Sequence, residues 1–211
     1  ARYGKEGVAS DKIKVLGIPI RMKFAEKTDT RKVAEKLGLD LNIPTILIMG
    51  GGQGLGPMKE AVKGLLRLER PLQMIVICGT NVKLVHWIKK MQRHTNKKII
   101  YYDYASNVDE LMGVSTLIIS KPGGMTTSEC LAKGLPMVIV APIPGQEERN
   151  AQFLIQQGIA VRVDNKHHIG LEIEKLLKAP NQLASMKEAA MKHGKPMAAE
   201  NIARLILEGP L

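Results

Sequence analysis

The sequence predicts an α/β protein built on a doubly wound, Rossmann-like parallel sheet. Short apolar runs alternate along the chain with segments of helical periodicity, and within the runs apolar residues do not alternate with polar ones. Strands covered by helices on both faces have this pattern, and its repetition is typical of doubly wound sheets. Glycine-rich or polar segments follow several runs. This places them at the carboxyl edge of the sheet, where such folds bind ligands.

The predicted elements follow one another at short intervals. Apolar runs predict strands at residues 45–49, 73–78, 99–102, 116–119, 137–140 and 159–163. Helical spacing predicts helices at residues 31–37, 58–68, 82–93, 108–112, 127–133, 147–157, 168–177, 182–191 and 197–207. The polar residues Thr28, Asp29 and Thr30 can cap the first helix, and Gly38 can end it.

Residues 1–27 are predicted to form an interdomain linker or an edge segment of the sheet. Their apolar piece, residues 13–20, contains Pro19, which cannot donate a hydrogen bond within a central strand. Residues 28–211 are predicted to form one domain. The chain begins in a polar stretch without a methionine, so we expect it to be part of a longer protein.

Composition restricts the class of partner. The chain has 211 residues and a formal net charge of +11, which attracts nucleic acid, anionic lipid or phosphorylated ligands. Aromatic residues make up 3% of the sequence. This argues against a nucleic-acid partner, because single-stranded platforms stack bases on exposed rings. Cys78 and Cys130 are expected to be buried, reduced thiols of a cytoplasmic protein. No apolar run reaches the roughly 20 residues that span a bilayer.

Two further patterns concern surface charge and metal binding. Basic residues cluster around one predicted helix and its exit: Lys83, Lys89, Lys90, Arg93, Lys97 and Lys98. Such a cluster is either an ordinary solvated face or a contact with an anionic membrane surface. The histidines have no grouping with cysteines or carboxylates that suits a metal ion, and the sequence has no Asp-x-Asp motif. We therefore expect no metal site.

The most informative segment runs from Ser120 to Asn150 and contains two junctions between a strand and a helix. Each junction should leave free backbone N–H groups, which attract phosphate. The first reads Gly123-Gly124-Met125-Thr126-Thr127-Ser128-Glu129. On one interpretation, Thr126 and Glu129 form a capping box. On the other, the amides and hydroxyls of residues 124–127 hold a diphosphate, and the Glu129 carboxylate accepts hydrogen bonds from both hydroxyls of a ribose.

The second junction reads Pro144-Gly145-Gln146-Glu147-Glu148-Arg149-Asn150. Acidic residues are favourable in the first turn of a helix, so this segment fits an ordinary polar helix start. Gln146, Glu147 and Asn150 are also residue types that hydrogen-bond sugar hydroxyls. Phosphate together with a polyol suggests a nucleotide-sugar ligand.

A third segment, Gly50-Gly51-Gly52-Gln53-Gly54-Leu55-Gly56-Pro57, lies between the first predicted strand and its helix. No register gives G-x-G-x-x-G, and no acidic residue closes the next strand, so the dinucleotide fingerprint is absent. The P-loop pattern also fails, because Pro57 stands where that pattern requires lysine. The glycines predict either a tight turn or a loop whose amides approach a phosphate, and their number favours the phosphate.

Together these motifs resemble one family. They are, in order, the glycine loop, Cys78-Gly79-Thr80-Asn81, Ser120-Lys121-Pro122-Gly123-Gly124, Glu129, and Pro144-Gly145-Gln146-Glu147 with Asn150. They resemble the carboxyl-terminal domain of processive diacylglycerol glycosyltransferases and monogalactosyldiacylglycerol synthases, which are related to the peptidoglycan N-acetylglucosamine transferase. The resemblance covers nearly the whole chain from Gly17 onward. It implies the carboxyl-terminal half of a two-domain GT-B enzyme, the half that binds a UDP-sugar.

The resemblance also implies a role for each matching residue. It implies that Gly52, Gly54, Gly124, Met125, Thr126 and Thr127 hold the diphosphate, that the Val108 backbone meets the uracil, that Glu129 binds the ribose, and that Gln146 and Glu147 bind the donor sugar with Asn150 nearby. The transfer it implies is inverting, from a UDP-hexose to a lipid acceptor, without a cofactor, by an enzyme peripheral on the cytoplasmic face of a membrane.

One departure from the family limits what this chain should do by itself. The family's acceptor domain should precede residues 17–20, where this chain has only a short segment. We therefore expect the catalytic base to lie in that missing domain, and this chain to bind the donor without transferring it. Three alternatives stay open: an N-acetylglucosamine transferase of peptidoglycan synthesis, a 2-epimerase of the same fold, and a module that binds a UDP-sugar without transfer.

Overall fold

The computed structural model describes residues 6–208 and contains one parallel sheet of six strands. The strands are β1 (Thr45–Met49), β2 (Gln73–Ile77), β3 (Lys98–Tyr102), β4 (Leu117–Ser120), β5 (Met137–Val140) and β6 (Ala160–Val163). Their order in the sheet is β3-β2-β1-β4-β5-β6, with every pair parallel. The predicted doubly wound fold is confirmed. This strand order places the switch point between β1 and β4.

Helices connect the strands and cover the sheet. Within the described residues they are α1 (Thr30–Leu37), α2 (Met58–Leu66), α3 (Val82–Gln92), α4 (Val108–Gly113), α5 (Gly124–Lys133), α6 (Gln146–Gln156), α7 (Ile169–Leu177), α8 (Pro180–His193) and α9 (Ala198–Glu208). Short 3₁₀ turns lie at Ser10–Lys12, Met22–Phe24 and Lys166–His168. As predicted, Asp29 caps α1 and Gly38 ends it in a left-handed conformation.

The packing of the core explains why the strands are apolar throughout. Ile46 and Ile48 of β1 point to one face and pack with residues of α2, α3 and α7. Leu47 points to the other face and packs with residues of α4, α5 and α6. Helices cover both faces, so no strand needs a polar side. Each such side chain, when fully buried, contributes about 1.5–3 kcal/mol.

The segment before α1 is attached to the domain, and it forms no strand between residues 13 and 20. Instead, β3 and β6 are the edges of the sheet, so the edge-strand interpretation of that segment is wrong. Ile20 and Phe24 are buried in the cluster that contains α4 and α5. Lys133 Nζ on α5 donates hydrogen bonds to the carbonyl oxygens of Lys23 and Glu26. The first part of the predicted linker, residues 1–5, lies outside the described residues.

Most predicted boundaries agree with the structure to within a few residues, and the start of α5 has functional consequences. The prediction began this helix at Thr127, whereas it begins at Gly124. The Thr127 amide donates to the Gly123 carbonyl at 2.8 Å, which closes the first turn around the glycines. Because glycine is a poor helix former in isolation, a prediction from helix propensity alone places the start of α5 too late.

The glycine-rich loop after β1 packs tightly against the loop after β2. Gly54 has φ +58°, and a Cβ atom there would lie 1.9 Å from the carbonyl oxygen of Cys78. The Gly54 carbonyl accepts a hydrogen bond from Asn81 Nδ2 at 3.1 Å. The Gly52 carbonyl accepts one from the Thr80 amide, also at 3.1 Å. Because only glycine fits this contact, packing explains part of the glycine content of the loop.

We predict that Gly54→Ala destabilises the fold by about 2–4 kcal/mol, because it adds a backbone clash to a left-handed conformation. Gly51→Ala is the matched control. Gly51 also has a positive φ, +69°, but nothing lies near its would-be Cβ atom. The control should therefore cost only about 1 kcal/mol, from conformation alone. Urea denaturation measures both values, and equal losses for the two variants would contradict the packing role of Gly54.

Candidate functional site

The switch point of the sheet brings the predicted site loops together. β1 and β4 are paired in parallel with Met49 opposite Ser120, so the glycine loop and the Lys121-Pro122-Gly123 loop start side by side. The N-termini of α5 and α6 also lie close together. A Cβ atom on Gly124 would be 3.5 Å from Nε2 of Gln146. The carboxyl edge of the sheet thus presents the two predicted helix N-termini as one surface.

The N-terminus of α5 leaves hydrogen-bond donors free. Its N-cap is Gly123, which has no side chain to bond the first-turn amides. By helix geometry the amides of Gly124, Met125 and Thr126 have no intrahelical acceptor, whereas the Thr127 amide is used within the helix. The Thr127 hydroxyl is buried and has no hydrogen-bond partner among the described residues. These donors can hold an anion.

Two α-helices of the described residues, α1 and α3, have side-chain caps. The Asp29 carboxylate accepts from the Lys32 amide at the start of α1. The Asn81 side chain accepts from the Leu84 amide at the start of α3. In contrast, neither α5 nor α6 has a side-chain cap. The starts of α2, α4, α7 and α8 also lack a side-chain cap, so what distinguishes α5 is the buried Thr127 hydroxyl without a partner in its first turn.

Glu129 lies in the second turn of α5, so the capping box predicted with Thr126 does not exist. A capping box needs Thr126 as N-cap, and the N-cap is Gly123. The Glu129 side chain is half-buried and has no hydrogen-bond or salt-bridge partner among residues 6–208. Its burial raises the pKa of the carboxyl to about 7, although the nearby charges of Arg21 and Lys23 lower it. An unpaired carboxylate of this kind is available to a ligand.

Sequence reasoning missed the contribution of the segment before α1 to this electrostatic environment. Arg21 and Lys23 act on Glu129, and Lys23 also forms a salt bridge with Asp109 of α4. Lys23 Nζ further donates to the Ser106 carbonyl at 2.5 Å. Lys23 therefore holds the loop before α4 in place. Val108, which is half-buried, is the first residue of that helix. Because these contacts are non-local, the sequence carries no signal for them.

The side chains at the start of α6 divide into two groups. Oε2 of Glu147 accepts from the Ile143 amide at 2.8 Å, and its Oε1 is 3.5 Å from Lys121 Nζ. Nδ2 of Asn150 donates to the Pro122 carbonyl at 2.9 Å. Glu147 and Asn150 therefore tie the loop after β4 to the loop after β5. Gln146 is exposed, and the described residues offer its side chain no hydrogen bond.

The two glycines of the glycine loop that are expected to approach a diphosphate, Gly52 and Gly54, differ in their exposure to solvent. Gly52 is exposed, and nothing lies near its would-be Cβ atom. Gly54 is buried, and its amide donates to the Gly51 carbonyl at 3.0 Å. A ligand can thus reach the backbone of Gly52 directly, whereas Gly54 supports the loop from below.

Neither the cysteines nor any acidic cluster adds a second kind of site. Cys78 and Cys130 are buried free thiols, as predicted. Burial raises the pKa of Cys78 to about 11 and raises that of Cys130 further, which keeps both thiols protonated and unreactive. In the range 6–208, no three His, Cys, Asp or Glu side chains are grouped as metal ligands. Over the same range, no helix is long and apolar enough to cross a membrane.

Comparison with known proteins gives one family match and close relatives. Residues 45–202 match the glycosyltransferase family 28 C-terminal domain. The processive diacylglycerol beta-glucosyltransferase of Bacillus pumilus is 33% identical over 201 residues, which are 93% of this chain and 52% of that protein. The chain therefore spans about half the length of the curated relatives it matches.

Two solved structures share the fold. MurG of Acinetobacter baumannii superimposes with a TM-score of 0.70 at 22% identity, over 88% of this chain and 55% of that one. The UDP-GlcNAc 2-epimerase of Neisseria meningitidis, solved with UDP-GlcNAc, gives a TM-score of 0.69 at 18% identity, over 97% of this chain and 58% of that one. At these identities the two structures show a common α/β architecture.

The environment of Glu129 predicts a pH-dependent cost to stability. Its raised pKa means that the native state binds this proton more tightly than the unfolded chain does. The free energy of unfolding therefore falls as the pH rises from about 4.5 to about 7. Glu129→Gln should remove this cost and raise the melting temperature by a few °C at pH 8, with little change at pH 4. Glu35→Gln, at an exposed position, should show no difference in its effect between the two pH values. An equal effect of Glu129→Gln at both pH values would contradict the raised pKa of Glu129.

Proposed function

Since the chain belongs to the glycosyltransferase family 28 C-terminal domain family, we propose that it forms the donor site of an enzyme that transfers a hexose from a UDP-sugar to a diacylglycerol-type lipid. The substrate classes are supported by the name of the Bacillus pumilus relative, a processive diacylglycerol beta-glucosyltransferase. The UDP-GlcNAc bound to the structurally similar Neisseria meningitidis epimerase supports a uridine nucleotide. In this proposal the chain is the carboxyl-terminal half of a GT-B enzyme.

The observation that carries the proposal is the uncapped N-terminus of α5 beside an unpaired carboxylate. The diphosphate would lie against the free amides of Gly124, Met125 and Thr126, with the hydroxyls of Thr126 and Thr127 assisting. The exposed backbone of Gly52 would approach it from the neighbouring loop. Three groups that the protein leaves without partners would thereby gain them: the first-turn amides, the Thr127 hydroxyl and the Glu129 carboxylate.

The nucleoside would extend from the diphosphate towards α4. Glu129 would accept hydrogen bonds from the two ribose hydroxyls, because its two oxygens match a cis-diol. The uracil would then meet the backbone of Val108, in the loop that Lys23 holds. The donor sugar would lie towards α6, where Gln146 offers an unoccupied amide. Glu147 and Asn150 would act mainly by positioning this loop, and a sugar hydroxyl would share the Glu147 carboxylate with its protein partners.

The transfer we propose is a direct displacement with inversion. An acceptor hydroxyl oxygen bonds to the anomeric carbon as the bond from that carbon to the β-phosphate oxygen breaks. The proton passes to a base in the other half of the enzyme, and UDP leaves with the bonding electrons. The negative charge that develops on the diphosphate is stabilised by the α5 amides and the positive end of the helix. No metal or cofactor takes part in this scheme. We place the enzyme on the cytoplasmic face of a membrane, because the donor is water-soluble and the acceptor is a lipid.

Thr127→Val tests the diphosphate site. Valine has the same shape and removes a buried hydroxyl without a partner, so stability should rise by about 1 kcal/mol. The affinity for UDP should fall about tenfold, because one hydrogen bond to a charged group is lost. Calorimetry with UDP measures the affinity. Ser115→Ala is the control, because it removes an internal hydrogen bond to Leu111 far from the site. Its stability should fall, and its affinity for UDP should be unchanged. Unchanged UDP affinity in Thr127→Val would contradict the site.

A donor series tests the proposed activity of these 211 residues. Calorimetry should detect UDP, UDP-glucose and UDP-galactose, but not a short oligonucleotide. With labelled UDP-glucose and diacylglycerol vesicles, the chain by itself should bind the donor without releasing glycolipid. Transfer at a rate ordinary for enzymes would place the base within this chain. Preference for UDP-N-acetylglucosamine over both hexoses would favour the peptidoglycan-type alternative.

A further inference from the structure

One face of the domain is rich in positively charged side chains. This surface, here called the α3 face, consists of the exposed side of α3 and the adjoining side of α2. Its cations are Lys59, Lys63, Lys83, Lys89, Lys90 and Arg93, and His86 lies between Lys83 and Lys89 in the sequence. Across residues 6–208, none of the six lysines and arginines forms a salt bridge. α3 itself contains no acidic residue, and Glu60 of α2 is paired with Lys166.

The tertiary structure changes the composition of the basic cluster that the sequence predicted. Lys97 and Lys98 leave it, because their amines donate to the carbonyl oxygens of Arg70 and Gly38. Lys59 and Lys63 join it from α2. Each places its Nζ 5.9 Å from the ring centroid of Trp87 on α3. The one tryptophan of the chain is therefore half-buried within the α3 face and flanked by lysines.

A groove of about 520 Å³ runs along the α3 face at the carboxyl edge of the sheet. Two of its side chains are exposed and apolar or aromatic, Val82 at 61% and Tyr104 at 78%. Lys89 and His86 line it as well, with Asp103 as its acidic residue. Gly52, which we place beside the diphosphate, also lines it. The α3 face and the proposed donor site thus adjoin on the same edge of the sheet.

We propose that the α3 face lies on the surface of an anionic phospholipid bilayer. This proposal deepens the proposed function, because a lipid acceptor requires the donor site to work close to a membrane. Lysines without a salt-bridge partner, spread over one face, suit an array of lipid phosphates. Tryptophan and tyrosine beside such charges are typical of residues at the level of the headgroups. A nucleic-acid surface would need more exposed rings than Tyr104 and the half-buried Trp87 provide.

The test uses three neutral substitutions on the outer side of α3, Lys83→Gln, Lys90→Gln and Arg93→Gln, combined in one variant of the 211-residue chain. Sedimentation with phosphatidylcholine vesicles that contain 30% phosphatidylglycerol measures partitioning. Each cation near an anionic surface changes the partition coefficient about fivefold, so the variant should lose about 100-fold. The unmodified chain should bind pure phosphatidylcholine far more weakly, and 0.5 M salt should release it from the anionic vesicles.

A matched control separates position from net charge. Arg31→Gln, Lys32→Gln and Lys36→Gln remove the same charge from exposed positions of α1, and this variant should keep nearly all of its binding to the anionic vesicles. Equal losses in the two variants, or equal binding to neutral vesicles, would overturn the proposal. So would a short RNA that binds the unmodified chain while anionic vesicles do not.

Trp87 provides a second readout at the surface itself. Its emission should shift to shorter wavelength and become protected from acrylamide when phosphatidylglycerol vesicles are added. An unchanged spectrum in the presence of bound vesicles would place the contact elsewhere and overturn the proposal. UDP affinity, measured on the same variants, should stay unchanged, because none of the substituted residues touches the proposed donor site. Loss of vesicle binding with UDP affinity intact would therefore leave the donor-site proposal untouched, and absence of UDP binding from every variant would contradict the donor site alone.

Discussion

The parallel pairing of β1 with β4 determines where the polar loops of this protein open. Met49 lies opposite Ser120, so the loops after these strands leave the sheet at one level and side by side. Both strands are buried on both faces, and a slip of one residue would exchange the side chains that pack against the two layers of helices. With that register set, the exposed backbone of Gly52 and the N-terminus of α5 belong to the same edge.

At that edge the protein keeps polar groups without partners at a cost to its own stability. The Thr127 hydroxyl is buried and unpaired, and burial of Glu129 opposes the ionisation of its carboxyl. An unsatisfied buried group costs about 1–3 kcal/mol. At the starts of α1 and α3, by contrast, the Asp29 and Asn81 side chains satisfy first-turn amides. Thr127 and Glu129 lie two residues apart in one helix, and a carboxyl with a raised pKa beside an unpartnered hydroxyl is typical of a binding site.

Much of the fold follows from local sequence patterns, because each strand is a short apolar run and each helix has an apolar stripe. The two main errors had physical causes. Residues 13–20 form no strand, and Ile20 is instead buried with Phe24 against the helices on one face of the sheet. The start of α5 was placed at Thr127, because helix propensity disfavours the two glycines that actually open it. That error made a capping box of Thr126 and Glu129 plausible, and the true start removes it.

The sequence by itself determined the fold class, the six strands and the two loop-to-helix junctions, because hydrophobic periodicity and glycine placement are local properties. Only the tertiary structure decided which polar residues remain free for a ligand. Glu147 and Asn150 are occupied by the neighbouring loop, whereas Gln146 and Glu129 are not. It also decided that Lys59 and Lys63 join the α3 face while Lys97 and Lys98 leave it. These distinctions depend on contacts between residues far apart in the chain, and one-dimensional spacing does not encode such contacts.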